Sequence, residues 1–290
     1  MNLFKIISEL EKVDPELMDR LSHRRSALSM LGDISKKMAL AAAPIAIGSA
    51  FNKAMAQNTL TNPNDILNYA LLLERLEFSF YDQALKAATL TPVLTGVDRA
   101  AIETIRTHEL AHVNLLTAAL GSAAAPAPAN GFDFKGAFAT YDGFLTTAQA
   151  LEDTGVRAYK GQANNIPRTL NPTVGGTVVN LLTVALQIHS VEARHAARIR
   201  YMRRGATAGN QTTIFPWINN AEANGAPAVV YGAGNPAATF PAESNLAQGG
   251  IANLTTALGA TYSAADVSAA FDEGLDNTTV TAIARATANF

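Results

Sequence analysis

Two segments of the chain carry a residue pair that commonly binds metal ions. In each, a glutamate is followed three positions later by a histidine: Glu109 with His112, and Glu192 with His195. In an α-helix, residues at i and i+3 lie on the same side about one turn apart, so each pair can offer a carboxylate and an imidazole to one ion. The two pairs are 83 positions apart, which indicates an internal repeat.

A second repeated pair combines a carboxylate with a phenol. Glu74 precedes Tyr81 by seven positions, and Glu152 precedes Tyr159 by the same spacing, which is two turns along one helix face. Both members recur after 78 positions. Arg157, which lies within the second of these pairs, is expected to form an ion pair on the surface of a helical bundle.

These residues predict a buried site for two metal ions. Four carboxylates buried together cannot all stay charged without cations, and two divalent ions would neutralise them. Four glutamates and two histidines on four helices are the ligand set of di-iron and di-manganese carboxylate bundles, and oxygen and nitrogen ligands without thiolate suit iron or manganese. Tyr81 and Tyr159 are predicted to donate hydrogen bonds that orient the carboxylates. The predicted ligands are Glu74, Glu109, His112, Glu152, Glu192 and His195.

Nearby ionisable residues fit the repeat less well. Glu77 corresponds to Gly155 in the second half, so it is predicted to face solvent or to support the ligands rather than to bind metal. Glu103 is expected to be exposed or ion-paired. His108 and His189 are expected to be structural or surface histidines.

Hydrophobic periodicity places these residues on four long helices. Asn-Pro pairs at 62–63 and 171–172 are typical of a helix cap followed by the first helical position. Short connections within the first and last helix pairs indicate antiparallel hairpins, whereas about 15 extended, proline-rich residues after position 121 reach ~45 Å and can cross the bundle. The predicted fold is an all-α antiparallel four-helix bundle with one long crossover. The helices are expected at about 62–88, 96–121, 136–163 and 171–205.

These residues and motifs resemble the ferritin-like superfamily, and within it the bacterial family often labelled desiccation-related. The resemblance covers about 62–204 and rests on the stretches at 73–81 and 151–159 together with both Glu-x-x-His pairs; residues 271–275 and the helix after them resemble that family's carboxy end. It implies a ferritin-like fold and a two-metal site that reacts with oxygen or peroxide. It also places the same six residues at the ligand positions, with none substituted.

The segment after the bundle is rich in Gly, Ala, Asn, Thr and Pro up to about residue 262. It predicts irregular structure with a short hairpin near 229–231, then helices starting at Ser263 and spanning Asn277–Thr287. We therefore expect a bundle over 58–205 and an extension over 206–290 that packs on it. An extension of this size argues against a 24-subunit cage and leaves a smaller homo-oligomer open.

Residues 1–57 have the features of an export signal. The Arg24-Arg25 pair precedes an uncharged run at 38–52 and the small residues around Met55. The pair resembles a twin-arginine signal, and the uncharged run is too short to span a membrane. This predicts an exported protein of the periplasm or cell envelope. The alternative is a cytoplasmic protein with an uncleaved N-terminal arm.

Composition narrows the functional classes. The 290-residue chain has 22 Lys and Arg against 24 Asp and Glu, so no basic excess favours nucleic acid as the main partner. No apolar run reaches the ~20 residues of a transmembrane helix, and no cysteine is present for thiolate chemistry. The expected partners are metal ions and small oxidants.

The leading hypothesis is a di-iron oxidoreductase, with two Fe ions, that acts on Fe(II), oxygen or peroxide. Two alternatives stay open. One is a centre of two Mn ions that dismutates peroxide. The other is a non-catalytic protein of envelope structure or stress protection, in which metal holds the fold together.

Overall fold

The computed structural model describes residues 60, 62–205, 213–259 and 261–290. The predicted export signal lies outside the described residues. Within them the chain is mainly α-helical, with one small β-hairpin. No helix in this described part is both long and apolar enough to cross a membrane.

Four long helices form the bundle, and they confirm the predicted all-α fold. Helix α1 packs mainly against α2, and α3 against α4. The start of α1 and the end of α2 share an apolar cluster, as do the end of α3 and the start of α4, so each pair is antiparallel. Residues 121–140 form the long crossover between the pairs. The helices are α1 (Pro63–Lys86), α2 (Gly96–Leu120), α3 (Tyr141–Ala163) and α4 (Leu181–Gly205).

Local hydrogen bonds decide where two of these helices begin. The Asn62 side chain caps α1 as predicted, by accepting a hydrogen bond from the Asn64 amide. Helix α3 begins later than predicted, at 141 instead of 136. The Thr140 side chain accepts a hydrogen bond from the Gly143 amide and so caps the helix there, after a series of turns over 134–139.

Helix α4 begins ten residues later than the Asn-Pro pair at 171–172 predicted. Strands β1 (Thr173–Val174) and β2 (Thr177–Val178) form a hairpin instead, and Gly175 and Gly176 adopt the positive φ angles that its turn requires. The Asn180 side chain then caps α4 by accepting a hydrogen bond from the Thr183 amide at 2.9 Å. The Asn-Pro pair at 171–172 therefore precedes a β-hairpin and does not mark the start of a helix.

Two apolar clusters fill the bundle, one towards each end. Every long helix contributes to both. On α1, for example, Leu71 belongs to one cluster and Leu76 to the other, while on α4 Ile188 and Ile199 are divided in the same way. On α2 and α4 the predicted ligands lie in the sequence between residues of the two clusters, which places them near the middle of the bundle.

The segment after residue 212 completes one of these clusters. Leu275, Val280 and Ile283 are buried in the same cluster as Phe80 of α1. A single 3₁₀ turn occupies 228–230, where a hairpin was predicted. The predicted cap at 263 and the last helix are present as expected. The short helices are α5 (Leu254–Ala257), α6 (Ala264–Ser268) and α7 (Asn277–Thr287).

Candidate metal centre

The structure brings all six predicted ligands together as two overlapping groups. In each group the candidate ligand atoms lie within 4.8 Å of one another. Half-site 1 consists of Glu74, Glu109, His112 and Glu192. Half-site 2 consists of Glu109, Glu152, Glu192 and His195.

Two glutamates belong to both half-sites, and each turns one oxygen towards each histidine. In Glu109, Oε2 lies 3.1 Å from His112 Nδ1 and Oε1 lies 2.8 Å from His195 Nδ1. In Glu192, the corresponding distances are 3.5 Å for Oε1 and 4.0 Å for Oε2. Glu109 and Glu192 are therefore placed to be shared by the two half-sites.

The other two glutamates each serve one half-site. Oε2 of Glu74 lies 2.9 Å from His112 Nδ1, and Oε2 of Glu152 lies 3.4 Å from His195 Nδ1. All four glutamates are fully buried, and His195 is only 4% exposed. The arrangement has an approximate twofold repeat, as the spacing of the motifs predicted.

Several of these buried atoms have no hydrogen-bond partner among the described residues. Despite the 2.8 Å distance, Glu109 Oε1 and His195 Nδ1 are not aligned as a hydrogen bond, and Glu152 Oε2 and both oxygens of Glu192 are also unpaired. A buried polar atom without a partner is costly, so such a concentration needs compensation. Carboxylate and imidazole atoms that converge without pairing fit a pair of divalent cations.

Two tyrosines cross the bundle in a reciprocal arrangement. Tyr81 of α1 donates a hydrogen bond to Oε1 of Glu152 on α3, and Tyr159 of α3 donates one to Oε1 of Glu74 on α1. In each glutamate the second oxygen stays turned towards the centre. The two phenols are therefore placed to orient the two carboxylates that serve a single half-site.

Crowding of the carboxylates changes their ionisation in the metal-free centre. Burial raises the pKa of Glu74 to about 7. Burial and the charges of the other glutamates raise the pKa of Glu192 well above its usual range. Burial would also raise the pKa of Glu109, but His112 and His195 outweigh it and lower the pKa to about 2. Without metal, these carboxyls cannot all be ionised at neutral pH.

The histidines respond in the opposite direction. Burial favours neutral imidazole, yet the surrounding carboxylates raise the pKa of His112 and of His195 to about 10. Two imidazolium ions therefore partly compensate the carboxylates when metal is absent. A metal ion binds neutral imidazole and ionised carboxylate, so a metal ion would compete with protons for this centre.

Glu77 was predicted either to face solvent or to support the ligands. The first alternative is wrong, because Glu77 is only 3% exposed, and its position beside the cluster agrees with the second. A Cβ placed at Gly155 would lie 3.1 Å both from Oε1 of Glu77 and from Oε2 of Glu192. Glu77 and Glu192 therefore pack closely against the backbone at Gly155, and a side chain there would require both carboxyls to shift slightly. Glu77 belongs to neither half-site.

His108 is the residue that sequence reasoning undervalued. It lies at the surface of α2 as expected, but its Nδ1 is 3.0 Å from Nε2 of His195 and the two rings stack. The sequence feature that could have drawn attention to His108 is its position one helical turn before His112, on the same face of the helix. His189 instead lies 3.0 Å from the Val156 carbonyl oxygen, in a structural role. Glu103 is exposed and pairs with Arg99, as predicted.

Arg157 was expected at the surface, and it is fully buried. Its Nε lies 2.9 Å from Oε1 of Glu243, and its guanidinium donates to backbone carbonyls of the extension, including those of Val230 and Pro241. The prediction was wrong because the extension covers this face of α3. Arg157 joins the bundle to the extension, and its described hydrogen bonds and ion pair involve none of the candidate ligands.

Comparison with known proteins agrees with the bundle. The family described as ferritin-like domain matches residues 63–204, which contain the four long helices and all six candidate ligands. No curated protein and no solved structure gives a significant match. The finer resemblance to the desiccation-related family stays a prediction. The family match and the observed helices together place residues 63–204 in the ferritin-like superfamily.

Proposed function

We propose that this protein holds two iron ions between its four long helices and acts as an oxidoreductase on Fe(II), oxygen or peroxide. One observation carries the proposal: two groups of buried carboxylate and imidazole atoms share Glu109 and Glu192, and five of those atoms lack a hydrogen bond among the described residues. An apolar core would not retain such a set without cations to neutralise it.

The chain's own residues would divide the work as follows. Glu74 and His112 would hold one ion and Glu152 and His195 the other, with Glu109 and Glu192 shared. The bound iron supplies reversible one-electron chemistry at each ion. The two tyrosines fix the orientation of the outer carboxylates, so the site needs little rearrangement to accept the ions.

Burial contributes in two further ways. The site is enclosed by apolar residues at both ends, which keeps bulk water from the carboxylates and strengthens their interaction with cations. The centre also stores protons when metal is absent, on the imidazoles and on the glutamates of raised pKa. Loading with metal releases them.

Anaerobic titration with Fe(II) tests the proposal. Protein stripped with a chelator should bind two Fe(II) per chain, and exposure to oxygen should then consume oxygen in proportion to the protein. Binding of one ion or fewer per chain by correctly folded protein would overturn the two-metal assignment. Two bound ions without consumption of oxygen or peroxide would overturn the oxidoreductase and favour metal that only holds the fold together.

Two variants serve as matched probes. Glu109→Ala and His195→Ala should each abolish two-ion binding while leaving the helix content nearly intact. Glu103→Ala is the control, because it removes an exposed glutamate of the same helix. Sustained peroxide breakdown by the Mn(II)-loaded protein, with little turnover of the iron form, would assign a di-manganese activity instead.

We further propose that the protein is exported to the periplasm or cell envelope through the twin-arginine route. The support is the Arg24-Arg25 pair and the uncharged run after it. Replacement of both arginines by lysine should retain the protein in the cytoplasm, as fractionation would show. Export that persists unchanged would favour an ordinary N-terminal arm or another route.

A further inference from the structure

The two half-sites differ in what lies behind each histidine. The imidazole of His195 contacts half-site 2 through Nδ1, and its other nitrogen, Nε2, lies 3.0 Å from Nδ1 of His108. The repeat that relates the two Glu-x-x-His pairs places Val191 at the position equivalent to His108. A valine side chain can neither donate nor accept a hydrogen bond, so His112 has no such histidine partner among the described residues.

The direction of this hydrogen bond follows from the surroundings of His195. Its Nδ1 faces the oxygens of Glu109 and Glu152, where a cation would sit. A metal-bound Nδ1 carries no proton, so the proton of the neutral ring lies on Nε2, and Nε2–H donates to Nδ1 of His108. The second nitrogen of His108, Nε2, then carries its own proton.

We infer that His108 is a positioning residue for His195, and that its hydrogen bond makes half-site 2 bind a divalent cation more tightly than half-site 1. This inference rests on the proposed two-metal function. A partner on the far nitrogen of a ligating histidine fixes its tautomer and ring orientation and increases its basicity, and loss of such a partner typically costs about 10–100-fold in metal affinity.

The placement of His108 at the surface makes it suitable for mutation. The side chain is exposed, so its replacement removes no part of the apolar core. His108→Val reproduces at this position the residue that the repeat has at Val191. His108→Asn keeps an acceptor atom near the position of Nδ1 and serves as the conservative rescue.

Calorimetric titration with Co(II) tests the inference without any turnover. In the wild-type protein two binding steps are expected. His108→Val should weaken one step by about tenfold or more and leave the other unchanged, and His108→Asn should restore most of the loss. Unchanged affinities in His108→Val would overturn the inference.

A double-mutant comparison identifies which half-site is affected. In a His112→Ala background, which keeps His195, His108→Val should still weaken Co(II) binding. In a His195→Ala background it should have no further effect, because the imidazole that it positions is gone. An equal effect in both backgrounds would mean that His108 acts on the protein generally and not through His195.

The metal-free protein gives an independent readout. Nitrogen-15 spectra of the imidazoles should show a protected Nε2–H on His195 in the wild type, and this proton should exchange faster in His108→Val. If the wild-type protein itself binds fewer than two Co(II) ions, the proposed two-metal function fails. The Nε2–H signal then decides by itself whether His108 holds the ring, and a proton equally protected in both proteins would overturn that.

Discussion

At the residue scale, the centre is defined by its unpaired atoms more than by its hydrogen bonds. Tyr81 and Tyr159 satisfy one oxygen each on the outer glutamates, whereas Glu192 has neither oxygen satisfied among the described residues. Two buried carboxylate oxygens without partners do not stabilise the metal-free fold. Their presence in the core fits a site that binds cations.

This argument predicts opposite effects of Glu192→Gln on stability and on metal binding. Burial and neighbouring carboxylates raise the pKa of Glu192, so keeping a carboxyl there at neutral pH costs folding free energy that an amide does not cost. With chelator at pH 7, Glu192→Gln should raise the free energy of unfolding by about 1–3 kcal/mol, measured by urea denaturation. The same variant should lose two-ion binding. A metal-free variant less stable than the wild type would contradict the argument.

The pKa shifts also predict how the metal-free protein responds to pH. Glu74 has its pKa raised from 4.5 to about 7, so its contribution to stability is complete below about 4.5 and is lost as pH rises through 7. His112 and His195 have their pKa raised from 6.5 to about 10, so their contribution is complete below about 6.5 and is lost towards pH 10. The glutamate and both histidines therefore contribute less to the stability of the fold as pH rises.

We therefore expect the melting temperature with chelator to fall steadily from pH 5 to pH 9. Glu109, with its pKa lowered to about 2, contributes fully above about 4.5 and does not oppose this trend. Added Mn(II) should raise the melting temperature more at pH 8 than at pH 6, because metal binding displaces protons. Thermal scans with and without the ion check both statements, and a metal-independent profile would contradict them.

At the scale of elements, α3 is the helix on which both the centre and the extension depend. One face carries Glu152 and Tyr159 towards the centre, and Arg157 points into the extension. The Leu275 amide donates to the Arg157 carbonyl oxygen at 3.0 Å, so the segment before α7 docks directly on the backbone of α3. The backbone of this segment can come so close to the backbone of α3 only where α3 carries a small residue.

Gly161 is the residue that permits this approach, which gives a prediction for Gly161→Ala. A Cβ at this position would overlap the Leu275 carbonyl oxygen, a backbone atom that cannot move without shifting the segment. Alanine gains up to about 1 kcal/mol of helix propensity, but the overlap should exceed it and give a net loss of about 1–3 kcal/mol in unfolding free energy.

Gly205→Ala is the matched control for this prediction. Gly205 also lies in a long helix, at the end of α4, but a Cβ there meets nothing within 4 Å. Urea denaturation of both variants in chelator separates the packing effect from helix propensity. Equal stability of the two variants would show that the extension does not press on α3 at Gly161.

At the scale of the whole molecule, the bundle and the extension share one core. Leu275 and Val280 belong to the same apolar cluster as Phe80, and Arg157 forms a buried ion pair with Glu243 from the extension. We expect the described parts to unfold in a single cooperative transition.

Arg157→Met tests this cooperation. It removes the donors for several extension carbonyls and leaves the Glu243 carboxyl buried without its partner, so a loss of about 3–5 kcal/mol in unfolding free energy is expected. The double variant Arg157→Met with Glu243→Gln should recover part of that loss. Urea denaturation, together with limited proteolysis over 213–290, measures the effect. An unchanged midpoint would show that the extension is dispensable for the bundle.

The sequence by itself determined the bundle and the six candidate ligands. Helical periodicity fixes which residues share a face, and the repeats of 78 and 83 positions select Glu74 over Glu77 and pair the two Glu-x-x-His motifs. The shared face depends only on spacing within one helix, and the pairing of motifs depends only on the spacing between two copies of a repeat. The sequence is therefore enough to predict both. The starts of the helices were predicted less accurately. A hairpin over 173–178 occupies the segment where α4 was expected to begin.

Only the tertiary structure decided the residues that act across elements. Glu77 is buried where it packs against Gly155 of another helix, and the contact between His108 and His195 joins α2 to α4. The burial of Arg157 depends on an extension that follows it by some 70 residues or more. Spacing along one helix carries no information about the relative heights and rotations of packed helices, and these set which side chains meet.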